Sequence, residues 1–169
     1  MGPIMDLMFH WREAYQDEVM KNLTCQRIQA DEIWAFCYAK QKNVPADKKG
    51  VKGYGDVWMW VAIDVDTKLV PTWVMGLRDA DHAVEFMPAH ISTSFVERQN
   101  LTMRMGMRRF TRLTNGFSKK LENLGHSIAL HFMCFNFARR HQMFRVSPAM
   151  AAGVSAKLWT IEDVVSLIG

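Results

Sequence analysis

The chain is poor in cysteine and proline, with three of the one and five of the other in 169 residues. Cys25, Cys37 and Cys134 are odd in number, far apart and without a C-x-x-C pair. That pattern indicates neither a disulfide framework nor a thiolate zinc site, and a reducing, intracellular setting is the expectation it leaves. No apolar run approaches the roughly 20 residues needed to cross a bilayer, so no membrane partner is expected. The opening MGPIMD has no basic region ahead of an apolar stretch and no Ser or Thr of a myristoylation signal. Internal repeats and low-complexity segments are absent as well. What is present is a chain with 49% hydrophobic residues, enough to bury one core and to read as a single soluble domain.

The charge is uneven. An excess of 21 Lys+Arg over 17 Asp+Glu gives a net +4, and the positive residues gather in Lys40 to Lys52 and in Arg98 to Lys120. Blocks of this kind favour a polyanionic partner, with a solvated surface as the alternative.

Ile4, Met8, Trp11, Tyr15 and Val19 recur at helical spacing and predict an opening amphipathic helix that ends near Asn22. IQADEIWAFCY, VWMWVAI (Val57 to Ile63) and LVPTWVM (Leu69 to Met75) read as three strands. The polar DVDTK, Asp64 to Lys68, has hairpin length and makes the second and third strands antiparallel. The unbroken apolar VWMWVAI predicts a strand covered on both faces. Lys40 to Asp56, rich in lysine and glycine and without apolar periodicity, reads as a mobile loop. Asp79 to Met87 can start a helix that Pro88 stops. Helix resumes near Phe95, breaks near Asn115 and Gly116, and continues in a long helix whose stripe Phe117, Leu121, Leu124, Ile128, Phe132 and Phe135 reads as core. The same stripe facing a second copy of the chain is the alternative. Ser147 with Pro148 begins a short turn or helix, and TIED, Thr160 to Asp163, is a capping box.

The stretch SFVERQNLTMRMGMRRFTR is the most informative. On a helix, Glu97, Leu101, Arg104 and Arg108 share a face, with Arg112 one turn further on. Glu97 lies beyond the i+4 reach of those arginines, so the stripe suits phosphates. A lone carboxylate among DNA-binding cations is repelled by the ligand unless a divalent metal stands between them. A second acid for such a metal is available in ADEIW, where Asp31 and Glu32 point to opposite sides of a strand and only one faces a given side. A solvent-exposed strand end for the pair is the alternative reading.

QADEIWAFCYAKQKNVP, GYGDVWMWVAIDVDTKLVPTW and HISTSFVERQNLTMRMGMRRFTRLTNGFSKKLEN resemble the catalytic region of bacterial transposases of the insertion-sequence-one family. The similarity runs from Cys25 to Ile168 and ends in SPAMAAGV and LWTIEDVV. The resemblance implies an α/β, RNase H-like fold of DDE type, here truncated to a short, mostly antiparallel three-stranded sheet packed by helices. With the opening helix read from spacing, the expected organisation is an N-terminal helix over 1–24, the catalytic domain over 25–146 and a C-terminal helical segment over 147–169. Asp31 matches the family's first catalytic aspartate and Glu97 its final glutamate, both as metal ligands. The implied cofactor is Mg2+, or Mn2+. The implied partners are DNA, both insertion-sequence ends and target, and a second copy of the chain. The implied setting is the bacterial cytoplasm at the nucleoid, and Arg98, Arg104, Arg108, Arg109, Arg112 and Lys119 are the expected DNA contacts.

The match departs from the family at Pro88 and Ala89, where family members carry a further strand with the middle aspartate. An excursion of that type needs roughly thirty or more residues, so the segment and its aspartate are expected to be missing. Asp64, Asp66, Asp79 and Asp81 are not placed to replace it. The family's upstream DNA-end-recognition region is likewise expected to have no counterpart here. Two functions follow as expectations: Mg2+-dependent DNA cleavage and strand transfer, impaired by the lost aspartate, or DNA binding without catalysis by a remnant acting through oligomerisation.

Overall fold

Strand β1 (Ile28–Cys37) buries Gln29, Ile33, Ala35 and Cys37 on one face, with Trp34 half-buried and Phe36 buried on the other. This strand belongs to a computed structural model that describes residues 15, 18–20, 23–76, 94–111 and 116–167. Two compact units interleave along the chain: residues 28–63 with 72–125, and residues 1–27 with 64–71 and 126–169. Of the expected opening helix only Tyr15, Glu18 and Val19 are described as helical. The expected Asp79 to Met87 helix, the Pro88–Ala89 junction, Arg112 and the expected helix break at Asn115 lie outside the described residues.

In the first unit, β1, β2 (Gly55–Asp64) and β3 (Thr72–Gly76) form one sheet in that order. β2 and β3 pair antiparallel, with Met59 opposite Met75 and Val61 opposite Trp73. The fold is therefore mixed α/β on a three-stranded sheet. Burial along β2 alternates from Gly55 to Trp60 and becomes continuous only from Val61 to Asp64, so the expectation of cover on both faces holds for half the strand. Helix α1 (Ser94–Gly106) packs on β1 through Gln99, Asn100 and Met103, all buried. It ends well before Asn115, at Gly106, the residue with the poorest helix propensity after proline. Met107 is already extended, and Arg108–Phe110 form a single 3-10 turn that buries Phe110. Beyond it, Ser118 makes a one-residue parallel bridge to Cys37, and Tyr38 N–H donates to Ser118 C=O at 2.8 Å.

The lysine-rich connection between β1 and β2 is held in place. Gln41 and Asp56 exchange hydrogen bonds, Gln41 N–H to Asp56 Oδ1 at 3.0 Å and Asp56 N–H to Gln41 Oε1 at 3.3 Å. Val44 is buried, and Lys48 Nζ sits 4.6 Å from the Tyr38 ring centroid and 5.1 Å from that of Tyr54. Gly55 is required here: its φ is +104°, and a Cβ would collide with Gln41 Oε1.

In the second unit, the expected third strand loses its first half to the core. Leu69 and Val70 are buried outside the ladder, and Pro71 has no N–H to offer it. The side chain of Asn136, fully buried, replaces the missing strand: it accepts from Val70 N–H at 3.0 Å and donates to Val70 C=O at 2.8 Å. Helix α2 (Leu121–Met133) runs into a π-helical turn at Cys134–Ala138. Leu124, Ile128, Phe132 and Phe135 of the expected stripe are buried, each such side chain contributing roughly 1.5–3 kcal/mol. Phe137 and Trp159 meet at 4.8 Å between centroids over a core of Leu69, Met133, Ala149 and Val164. Helix α3 (Pro148–Ala151) is capped by Ser147. Helix α4 (Ile161–Ser166) opens on the expected capping box, with Thr160 N–H donating to Asp163 Oδ2 at 2.8 Å and Asp163 N–H to Thr160 Oγ1 at 3.2 Å.

Candidate functional site

Alternation along β1 puts Asp31 on the face of Gln29, Ile33, Ala35 and Cys37, where α1 packs. Glu32 belongs to the opposite face. Asn100 on α1 donates its Nδ2 to Asp31 Oδ2 at 2.8 Å, the hydrogen bond that joins helix to strand at this point. Glu97 precedes Asn100 by three residues, almost one turn, and lies exposed near the start of the same helix. Its charge reaches Asp31. Burial pushes the Asp31 carboxyl above its ordinary value, and the hydrogen bonds from the Glu32 backbone and from Asn100 pull it back. The negative charges of Glu32 and then Glu97 raise it further. The strand acid and the helix acid thus share one electrostatic neighbourhood.

The pair is chemically suited to a hard divalent cation, which takes carboxylate and amide oxygens and keeps several waters. One observation bears on that fit: Asn100 is 3% exposed, and its Oδ1 is buried without a hydrogen-bond partner among the described residues. Asn100 was not among the residues expected from sequence. Its only signal was its place three residues after Glu97 and beside the buried Gln99. Among the described residues no group of three or more His, Cys, Asp or Glu side chains is arranged to hold a metal.

Asp64 does not serve as a third acid. It is 3% exposed and caps the turn after β2, accepting from Asp66 N–H at 3.3 Å, Thr67 N–H at 3.1 Å and the Thr67 hydroxyl. Asp66 is ion-paired with Arg27 at the surface, and that guanidinium holds its carboxyl below the ordinary range.

The expected arginine stripe is not continuous. Arg98 and Arg104 lie exposed on α1, whereas Arg108 and Arg109 fall in the 3-10 turn beyond its end. Arg109 turns inward, donating from Nη1 to Ser118 Oγ and to Asn123 C=O, the latter at 3.1 Å. It thereby fixes the segment that bridges to β1. Lys119 is exposed. In the other basic block, Lys40 and Lys48 lie over aromatic rings, Lys40 Nζ at 5.9 Å from both Trp34 and Phe36.

No protein-family model, no characterised protein and no solved structure matches the chain.

Proposed function

We propose that the chain is a DDE-type, RNase H-like transposase domain that acts on DNA phosphodiesters with Mg2+, weakened by the loss of the middle aspartate. The observation that carries this reading is the hydrogen bond from Asn100 to Asp31: it joins β1 to α1 one turn after Glu97, so that acids 66 positions apart in the sequence sit on elements that touch. Asp31 and Glu97 would hold the cation. When bound, Mg2+ supplies charge stabilisation at the scissile phosphate and activation of a water or DNA 3′-hydroxyl. Asn100 fixes the rotamer of Asp31, and the exposed Arg98 and Arg104 would meet the backbone on the helix that bears Glu97. With one shared carboxylate missing, several kcal/mol of charge stabilisation is lost, so slow turnover is expected.

A second reading, DNA binding without catalysis, is favoured by the fate of Asp64, which is committed to its turn and, with Glu32 turned away, leaves the described acids one short of a three-carboxylate site. Nicking of supercoiled plasmid and transfer of a labelled oligonucleotide, measured with Mg2+ and with Mg2+ chelated, decide between the two. Turnover that needs Mg2+ and disappears in Glu97→Gln supports the enzyme. Salt-sensitive DNA binding with no nicking in the native chain supports the remnant.

A further inference from the structure

Asn100 presents an unusual buried amide. Its Nδ2 is used, on Asp31 Oδ2 at 2.8 Å, and its Oδ1 is buried without a hydrogen-bond partner among the described residues. The NH2 side faces Asp31, the orientation an ionised carboxylate calls for because it can only accept, and the atom left over is the oxygen. A buried acceptor without a donor is costly and rare in a residue only 3% exposed. Asp31 is in contact with it, and the charges that raise the Asp31 carboxyl are those of Glu32, on the opposite face of β1, and of Glu97. Glu97 precedes Asn100 by three residues on the same helix, and carboxylate and amide oxygens are the ligands a hard cation takes.

We propose that Asn100 Oδ1 is the third protein oxygen ligand of a single divalent cation held by Asp31 and Glu97. The proposal rests on the acid-pair reading above and completes it. Two carboxylates and one neutral amide balance the charge of one divalent ion, and Mg2+ or Mn2+ fills the rest of its shell with water. The same amide keeps its N–H on Asp31, so one side chain both ligates and orients a neighbouring ligand, the arrangement that tunes metal sites generally. A third carboxylate is then not needed for binding, although a second metal ion would still lack its share of negative charge.

The test is Mn2+ binding to the full chain, read by calorimetry and by the paramagnetic resonance of free Mn2+, with no catalytic readout. Asn100→Ala is expected to weaken Mn2+ affinity about tenfold while the circular dichroism spectrum is kept, and the near-isosteric Asn100→Asp is expected to bind at least as tightly as the native chain. A folded Asn100→Ala with unchanged affinity, as a buried water on Oδ1 would give, overturns the proposal. If Asn100→Ala does not fold, Asn100→Ser decides: it keeps a short oxygen at this position, and a folded Asn100→Ser chain with native Mn2+ affinity at a distance its hydroxyl cannot bridge, or an Asn100→Asp chain that has lost Mn2+ altogether, overturns the proposal. Asp31→Asn and Glu97→Gln separate the two levels: if both lose Mn2+ and Asn100→Ala does not, only the role of Asn100 falls. A native chain that takes up no Mn2+ removes the acid-pair reading and this proposal together.

Discussion

Asp31 shows how a single side chain links stability to chemistry. Its carboxyl is pushed up, chiefly by burial, so just above the ordinary carboxylate range the folded chain holds a proton more readily than the unfolded chain does. The contribution of that group is fully present below the ordinary carboxylate range and is lost as pH rises through the window just above it. Asp31→Asn is therefore expected to raise the urea midpoint at neutral pH in metal-free buffer, with the advantage shrinking toward the acid end of the range. Added Mn2+ should reverse the order, because a ligand that binds only the folded chain stabilises it by mass action and the amide at 31 cannot hold the ion as tightly. Unfolding curves of both chains at two pH values, with and without Mn2+, check both halves. That Asp31 or Glu32 faces a site was legible in the sequence because an acid in an apolar strand is costly without a purpose, but the choice of Asp31 came only with the family resemblance. Asn100 was not legible, because an asparagine among arginines carries no charge and no periodic signal.

The elements differ in how much of their structure the residue pattern revealed, and the reasons are local. The Thr160 capping box and the Leu124, Ile128, Phe132 stripe depend only on spacing, and both are found as read. The end of α1 depends on tertiary choices: Gly106 permits the chain to leave the helix, but only the inward partners Ser118 and Asn123 tell where Arg109 goes. The start of β3 likewise turns on Asn136, 66 positions away from Val70. At this scale two losses are expected. Thr160→Ala should destabilise the chain by about 1 kcal/mol, since it removes one of two reciprocal cap hydrogen bonds. Arg109→Met should cost roughly 1–3 kcal/mol by removing the Arg109 donor from the buried Ser118 hydroxyl, and should disturb the bridge between Ser118 and Cys37. Thermal denaturation measures the first, and amide exchange at Tyr38, whose N–H is bound to Ser118, measures the second.

Over the whole molecule, two titration and charge effects set the behaviour in solution. Burial, with the Arg139 charge, lowers His131 to about 4 from an ordinary 6.5. The imidazole is neutral in the folded chain and takes a proton on unfolding, so stability is lost as pH falls from about 6.5 to about 4, on the order of 3 kcal/mol in total. His131→Gln should flatten that acid limb, which denaturant titrations across the range will show. The net charge of +4 is small, so DNA affinity depends on where the cations lie. Replacing exposed Arg98 and Arg104 together by Gln should lower the slope of log affinity against log salt by about 2 while leaving sequence preference unchanged. An unaltered slope would move the nucleic-acid surface off α1.

Asn136 has a consequence for mutational tolerance. It offers one donor and one acceptor to the same peptide, so aspartate lacks the N–H, leucine lacks both, and glutamine carries an extra methylene into a position with no exposure. In a saturation library screened only for soluble expression, codon 136 should be nearly monomorphic, while the exposed Arg104 and Met105 codons drift freely.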